Sequence, residues 1–206
     1  MTPPGYAEHC VRAGVFMPQP ISHTLRELVP RLNHALGLGT RQAQTHRVKT
    51  ELEGLVNRGK IRLPNRFRRP GGKAYARRLL HRCPDTGCTA IVMCWGPGQE
   101  TSLHDHAGLW CVECVLEGEI EVQSYRCTTQ TDSRFQFTQQ LAVRCGVGQA
   151  GSLIPPFEYH VLRNPQPDRV TLTLHVYENE MEHCNIFKPT GNGWYRPERL
   201  ALAYDA

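Results

Sequence analysis

The sequence predicts a mainly β protein, an antiparallel sandwich or barrel preceded by a helical N-terminal segment. From Tyr75 onward, short runs alternate apolar and polar residues, as in TAIVMCW, GEIEVQSY and VTLTLHVY. This period of two is typical of strands that bury one face. Gly, Pro, Asn or Asp separates the runs, so we expect many short strands joined by turns. The first third of the chain instead spaces its leucines at helical intervals.

Two helices are expected in this N-terminal region. Four leucines at helical spacing define the first helix: Leu25, Leu28, Leu32 and Leu36. Ser22 is placed to cap it, whereas Pro30 makes two short helices as consistent with the pattern as one. Four further apolar residues predict a second helix that ends near Gly59: Val48, Leu52, Leu55 and Val56.

The chain length and one turn-rich run suggest how the molecule is divided. A length of 206 residues indicates a single structural domain, large enough to bury a core. The run RRPGGK, which contains turn-forming residues, lies between the helical and the β patterns. We therefore expect a helical segment at 1–70 that packs on a barrel at 71–206.

Composition predicts a cytoplasmic protein outside the membrane. No apolar run approaches the roughly 18 residues that a spanning helix needs. The start of the chain lacks the charged and apolar blocks of a secretory signal. Nine cysteines, an odd number without an export signal, are interpreted as reduced thiols.

The charge is unevenly distributed. Nine basic residues and no acidic residue lie between Arg58 and Arg78. Such a stretch raises the hypothesis of nucleic-acid binding, but it lacks a series of interleaved aromatic platforms for base stacking and a recognisable nucleic-acid-binding motif. We favour a solvated basic face that attracts small anions, and we expect no nucleic-acid partner.

The stretch LHDHAGLWC contains the first candidate site. His104 and His106 are two residues apart, so on a strand both imidazoles would lie on one face and Asp105 would point away. Two convergent imidazoles form a two-ligand clamp for a metal, and His160 is the candidate for a third ligand. The pair alone is equally consistent with a chance arrangement on a polar strand.

The spacing around these histidines resembles the two motifs of the cupin superfamily. In the first motif, five residues separate Gly98 from His104 and one residue separates the two histidines. Four residues then separate His106 from Cys111, and six separate Cys111 from Gly118. The second motif matches at Pro155, His160 and Asn164, although Phe157 replaces the usual glycine. The resemblance implies a cupin jelly-roll barrel, or double-stranded β-helix, with a metal in its mouth.

Cys111 stands where most metal cupins have a glutamate ligand. We therefore expect three neutral imidazoles, no carboxylate and half of the coordination sphere open. Such a metal would bind a thiolate directly, and ferrous iron would also admit dioxygen.

The run TLTLHVY at 171–177 makes the resemblance more specific. Strand alternation places Thr171, Thr173, His175 and Tyr177 on one face, which by itself favours a half-exposed strand with a polar outside. Together with Cys111 and the three histidines, however, this pattern resembles cysteine dioxygenase, the thiol dioxygenase branch of the cupins. The similarity covers roughly 75–187 and implies that 71–206 is a catalytic barrel.

The resemblance implies roles for individual residues. Three histidines would bind Fe(II): His104, His106 and His160. Tyr177 would lie beside the substrate and oxygen, and Cys111 would form a thioether with it. His175 and Thr173, the latter replacing the family's usual serine, would orient Tyr177. Arg77 would pair with the substrate carboxylate, with Tyr75 on the same face of its strand, and Trp95 would pack near the site.

The implied reaction joins L-cysteine and O2 to give cysteine sulfinate. A close alternative is a dioxygenase for 3-mercaptopropionate or another small thiol acid, although such relatives usually have glutamine in place of Arg77. Another is a non-catalytic metal-binding cupin. A further alternative is zinc bound by four cysteines, Cys83, Cys88, Cys111 and Cys114. The sequence leaves the oligomeric state open.

Overall fold

The structure, a computed structural model, describes residues 20–206. Two α-helices come first, α1 (Pro20–Leu36) and α2 (Arg41–Asn57), followed by a 3-10 helix (Asn65–Arg68). Ten strands follow in this described part of the chain: β1 (Ala76–Arg82), β2 (Thr89–Trp95), β3 (Cys111–Glu117), β4 (Glu119–Gln130), β5 (Phe135–Gly146), β6 (Ala150–Leu153), β7 (His160–Arg163), β8 (Thr171–Tyr177), β9 (His183–Gly191) and β10 (Trp194–Ala201). The prediction of a mainly β protein with N-terminal helices is confirmed.

The strands form two five-stranded sheets. The first has the order β1-β2-β8-β3-β6 and the second the order β7-β4-β5-β10-β9. All of their pairings are antiparallel. Side chains from both sheets pack together between them, with Ile91 and Val115 from the first sheet meeting Ile120 and Leu162 from the second. This arrangement confirms the predicted jelly roll.

The helix α1 is continuous through Pro30, so one helix forms rather than two. Pro30 is exposed, and the turns around it bury Leu28 and Leu32. Ser22 lies inside the helix, so the prediction that it caps the helix is wrong. Residues 1–19 of the predicted helical segment lie outside the described residues. No helix within 20–206 has the length and apolarity that crossing a bilayer requires.

The helix α2 covers the outer face of the first sheet. Thr40 caps it, with its hydroxyl oxygen accepting a hydrogen bond from the Ala43 N–H at 3.1 Å. Leu52 and Leu55 are fully buried in the same apolar cluster as Val112 and Leu174 of the sheet. All seven residues of β8 are therefore buried, and the half-exposed strand favoured by its pattern alone is wrong. The outer face of β8 packs in this core, and its inner face is directed between the two sheets, toward the site described below.

The basic stretch is not one solvated face. Arg77 and Arg78 are buried, with 4% and 8% of their surface exposed. Arg78 donates hydrogen bonds to the carbonyl oxygens of Arg69 (2.7 Å) and Ala206 (3.0 Å). Alternation along β1 directs Arg77 the other way, into the cavity described below. The prediction of a solvated face is therefore wrong for these two arginines.

Candidate metal centre

Three imidazoles converge at one end of the barrel. The ring centres of His104 and His160 are 4.6 Å apart, those of His106 and His160 are 5.0 Å apart, and those of His104 and His106 are 5.2 Å apart. One nitrogen from each ring lies within 4.8 Å of the other two. The structure therefore brings together the three residues predicted as metal ligands.

The histidines converge by a route that differs from the predicted one. His104 forms isolated bridges with His160 and Ile186, and His106 lies in the loop that leads to β3. The expectation that both stand on one strand is therefore wrong. His160 begins β7, and its backbone N–H and C=O face those of His104. Pairing between segments that are distant in sequence creates the cluster.

Asp105 fixes the loop between the two histidines. Its carboxylate is buried and accepts hydrogen bonds from the backbone N–H of Asn185 (2.9 Å), the side-chain amide of Asn185 (2.8 Å) and the N–H of Ala107 (3.2 Å). Ala107 then adopts a left-handed conformation, with φ of 53°. These contacts hold the turn after His106, and nothing in the sequence pattern indicated them.

The protonation states suit a metal. Burial lowers the pKa of His104, and it lowers the pKa of His106 and of His160 well below the usual value, so their neutral forms dominate. Among the described residues, no hydrogen bond reaches either ring nitrogen of His106 or of His160. Nδ1 of His104 lies 3.0 Å from the Ser102 carbonyl oxygen, which places its proton there and leaves Nε2 with a free lone pair. Three neutral imidazoles with donor nitrogens within 4.8 Å of one another, two of them fully buried, fit a divalent transition metal.

Cys111 and Tyr177 are neighbours across two strands. They lie directly opposite each other in the pairing of β3 with β8. Both side chains are buried, with 0% of Cys111 and 1% of Tyr177 exposed. Both side chains belong to the apolar cluster between the two sheets. Burial raises the pKa of both groups well above their usual values. The Tyr177 ring centre also lies 6.0 Å from that of His106, so this pair borders the histidine cluster.

A hydrogen-bonded chain supports the inner face of β8. The indole N–H of Trp95 donates to Oγ1 of Thr173 at 2.9 Å, and Oγ1 lies 2.7 Å from Nε2 of His175. The imidazole of His175 is nearly parallel to the Tyr177 ring, with centres 6.1 Å apart. These residues thus form one buried row beside the histidines.

Arg77 and Tyr75 border the same space from the first strand. Nη2 of Arg77 donates to the Met181 carbonyl oxygen at 2.9 Å, while no hydrogen bond reaches its buried Nε within the described residues. Its guanidinium carbon lies 4.9 Å from the centre of the Tyr204 ring. The Tyr75 ring stacks on Trp95 with centres 4.4 Å apart. Burial is the main cause that raises the pKa of Tyr75 to about 12, so its hydroxyl is neutral.

An open cleft of about 310 Å³ leads to a small inner cavity of about 20 Å³ beside the histidines. The two share six residues: Tyr75, Arg77, Thr101, His104, Cys184 and Leu202. Tyr177 and His175 line the inner cavity. Because the inner space alone holds about one water molecule, a small organic ligand would occupy both spaces or displace side chains.

Glu113 is the site residue that the sequence reasoning missed. Its Oε1 lies 3.6 Å from Nε2 of His160 and 3.2 Å from Nδ1 of His175. A carboxylate that the sequence analysis did not name therefore lies beside the three imidazoles. Alternation could have found it, because Cys111 and Glu113 are two residues apart on β3 and share a face. On this strand, the family motif specifies position 111 but not position 113.

The alternative of a four-cysteine zinc site is not supported. Cys83, Cys88 and Cys114 pack in the core between helices and first sheet, whereas Cys111 belongs to the cluster between the sheets. Within residues 20–206, no group able to hold a metal contains these four cysteines. All eight cysteines in this range are free thiols.

Comparison with known proteins places the chain in a family. Three of the solved structures with a similar fold are a protein from Thermus thermophilus (21% identity, TM-score 0.42, covering 55% of this chain and 90% of that one), a protein with a double-stranded β-helix domain from Klebsiella pneumoniae (18%, 0.43, 55% and 79%) and a cupin-2 domain protein from Rhodospirillum rubrum (15%, 0.43, 61% and 74%). Residues 65–190 match the family described as cysteine dioxygenase type I. The match confirms the resemblance noted in the motifs, and the chain belongs to the cysteine dioxygenase type I family.

Proposed function

We propose that this protein is an iron-dependent thiol dioxygenase that converts L-cysteine and O2 to cysteine sulfinate. Family membership and the histidine cluster support a metal-dependent thiol dioxygenase. The observation that carries the choice of a thiol with a carboxylate is the position of Arg77, a buried guanidinium that lines the same cavity as His104 and Tyr177. The choice of cysteine over 3-mercaptopropionate rests on arginine at this position, where relatives that prefer the latter usually have glutamine. It supplies a cationic partner for a carboxylate within reach of the metal centre.

Arg77 selects and orients the substrate in this proposal. A guanidinium is planar and presents two parallel N–H donors to a carboxylate. Its buried Nε has no hydrogen-bond partner among the described residues, so this donor remains available to a carboxylate. With the carboxylate bound there, the thiol of a short amino acid points toward the histidines.

His104, His106 and His160 would hold Fe(II), which would supply affinity for a thiolate and the electrons that activate dioxygen. Tyr177 presents a neutral hydroxyl to the bound reactants, because burial keeps it protonated. Trp95, Thr173 and His175 hold the inner face of β8 in place through their hydrogen bonds. The protein thus contributes positioning in a mostly enclosed site.

We also propose that Cys111 and Tyr177 become joined by a thioether. Their direct pairing across β3 and β8 and the burial of both side chains support this link. Forming the C–S bond breaks the S–H bond of Cys111 and one C–H bond of the Tyr177 ring, with O2 as the two-electron oxidant, so the mass of the intact protein after turnover falls by two hydrogen masses. Cys114, which faces the opposite side of β3, provides the matched control for replacement of Cys111.

The test is to load the purified protein with Fe(II) without oxygen and then add O2 with one of three thiols. L-cysteine should be consumed with one O2 per thiol and give cysteine sulfinate, identified by mass spectrometry. Faster turnover of 3-mercaptopropionate or of cysteamine would overturn the choice of substrate. Binding of iron without oxidation of any of the three thiols would overturn the enzymatic function and indicate a non-catalytic cupin.

A further inference from the structure

A second cavity lies between the two sheets, next to the inner cavity of the site. Its volume is about 270 Å³, whereas the inner cavity has about 20 Å³. Glu113 and Leu162 line both spaces, so the two cavities are adjacent. We call the larger one the side cavity. The binding of a thiol acid at Arg77 and the histidines makes no use of it.

The lining of the side cavity is mostly apolar. The side chains of Val115, Ile120 and Leu162 form part of its wall and are buried. Among the described residues that line it, Glu113 is the only charged one, and it stands beside the histidines. The open cleft, in contrast, contains Arg77. An ionised thiol acid would lose its hydration in the side cavity without gaining a cation, so this space favours an uncharged molecule.

The side cavity extends from the surface to the buried part of the site. Val143 lines it and is 56% exposed, and Gly151 on β6 lines it and is also exposed. Leu162 and Thr173, which line it as well, are each only 2% exposed. Thr173 is also part of the hydrogen-bonded row beside the histidines. The cavity therefore connects solvent with the inner face of β8.

Gly151 leaves the outer part of the side cavity open. It pairs directly with Glu113 between β3 and β6, and opposed residues of an antiparallel pair direct their side chains to the same face. A side chain at position 151 would therefore enter the side cavity, and its Cβ would have no atom of a non-neighbouring residue within 4 Å. Glycine weakens a strand interior and often marks a place where a ligand approaches closely.

We propose that the side cavity is the route by which dioxygen reaches the metal centre, while the thiol acid enters through the open cleft. This proposal rests on the proposed function, because it assigns an entry route to the second substrate of that reaction. A bound thiol acid occupies the inner cavity and the cleft, so dioxygen needs a path that does not pass through the cleft. The side cavity provides one, which meets the site at Glu113 and Leu162. Dioxygen is small, uncharged and apolar, which suits this lining.

Xenon is the structural probe, because this apolar gas binds in dry apolar cavities. Crystals of the full-length protein pressurised with xenon should contain a xenon atom bordered by Val115, Ile120 and Leu162. Gly151→Phe places an aromatic ring in the side cavity and should remove this xenon atom. A wild-type crystal without xenon in the side cavity would overturn the proposal.

Oxygen-consumption kinetics of the iron-loaded protein test the route itself. At saturating L-cysteine, Gly151→Phe should lower kcat/KM for O2 by about tenfold and leave the KM for L-cysteine within about twofold of wild type, because the thiol uses the other entrance. Gly39→Phe is the matched control, since Gly39 has equally open space but lies between α1 and α2, and it should change neither parameter. If Gly151→Phe changes neither parameter, or both to the same extent, dioxygen does not enter by this route.

A second variant covers the case in which Gly151→Phe does not fold. Val122→Phe narrows the side cavity from β4 and should give the same loss of xenon and the same selective effect on O2. Xenon binding requires no turnover, so an active enzyme without the xenon atom overturns the route alone. Iron-loaded protein that oxidises none of the three thiols overturns the proposed function, and the route for dioxygen with it.

Discussion

At the scale of single residues, the site combines groups that are ordinarily costly to bury. Arg77 is 4% exposed and Glu113 shares its cavity, yet no ion pair between them is formed in the described part of the chain. The guanidinium instead has one carbonyl partner and one buried nitrogen without a partner. An incompletely paired buried cation is typical of a binding site, because a ligand completes its hydrogen bonds.

Arg77→Ala tests this interpretation. Removal of the guanidinium deletes the partner of the substrate carboxylate, so we expect the KM for L-cysteine to rise by at least about tenfold, the equivalent of one charge-assisted hydrogen bond. Steady-state oxygen consumption measures it. Arg82→Ala is the matched control, because Arg82 is on the same strand but pairs with Glu180 at the surface. An unchanged KM in the Arg77 variant would contradict the assignment.

Some site residues could be predicted from sequence and others could not. The three histidines, Cys111 and Tyr177 occupy positions that the family motifs specify, and the structure brings them together. Glu113 and Asp105 belong to no motif, and their roles depend on which segments lie opposite them. The position of Glu113 beside Cys111 could have been predicted from alternation on β3. The hydrogen bonds of Asp105 could not, because they depend on Asn185, about eighty residues later in the chain.

At the scale of elements, the local sequence pattern predicted whether a segment is a helix or a strand, but it did not predict what packs against that segment. The alternating run of β8 correctly indicated a strand, but it could not show that α2 and the opposite sheet cover both faces. The His104–His106 segment read as strand, yet only isolated bridges form there, because the Asp105 contacts turn the chain. Likewise, Pro30 predicted a possible interruption of the first helix, but α1 is continuous because Leu28 and Leu32 on either side of Pro30 pack in the core.

Pro30→Ala tests the cost of the proline in α1. Proline cannot donate the backbone hydrogen bond of a helix interior, and its ring crowds the preceding turn. Pro30 is exposed, so alanine creates no cavity. We expect the free energy of unfolding to rise by about 2 kcal/mol, since the helical gain exceeds the entropy that alanine returns to the unfolded chain. Urea denaturation measures it, with the exposed Arg26→Ala on the same helix as a control. A lower stability would show that Pro30 has a packing role.

At the scale of the whole molecule, the helices and the barrel depend on one core. Leu28 and Leu52 from the helices pack in one cluster with Val92, Val112 and Leu174 from the first sheet. That sheet carries the inner row of the site on its other face. The cupin motifs predicted the barrel, but they contain no information on what covers its outer face. We therefore propose that the described part of the N-terminal helical segment and the barrel at 71–206 fold as one cooperative domain.

Leu52→Ala tests whether the helices and barrel unfold together. Leu52 is fully buried, so its truncation should cost about 2–5 kcal/mol. All three tryptophans lie after position 70, but Trp110 packs in the cluster that contains the helix leucines, so both proteins are compared in a Trp110→Phe background, where the fluorescence of Trp95 and Trp194 reports on the barrel. In a cooperative domain, the variant lowers the urea midpoint of tryptophan fluorescence and of far-ultraviolet circular dichroism by the same amount. Val143→Ala, at an exposed position on β5, should shift neither by much. If only the circular dichroism midpoint moved, the barrel would be stable without the helices, and the site would not depend on them.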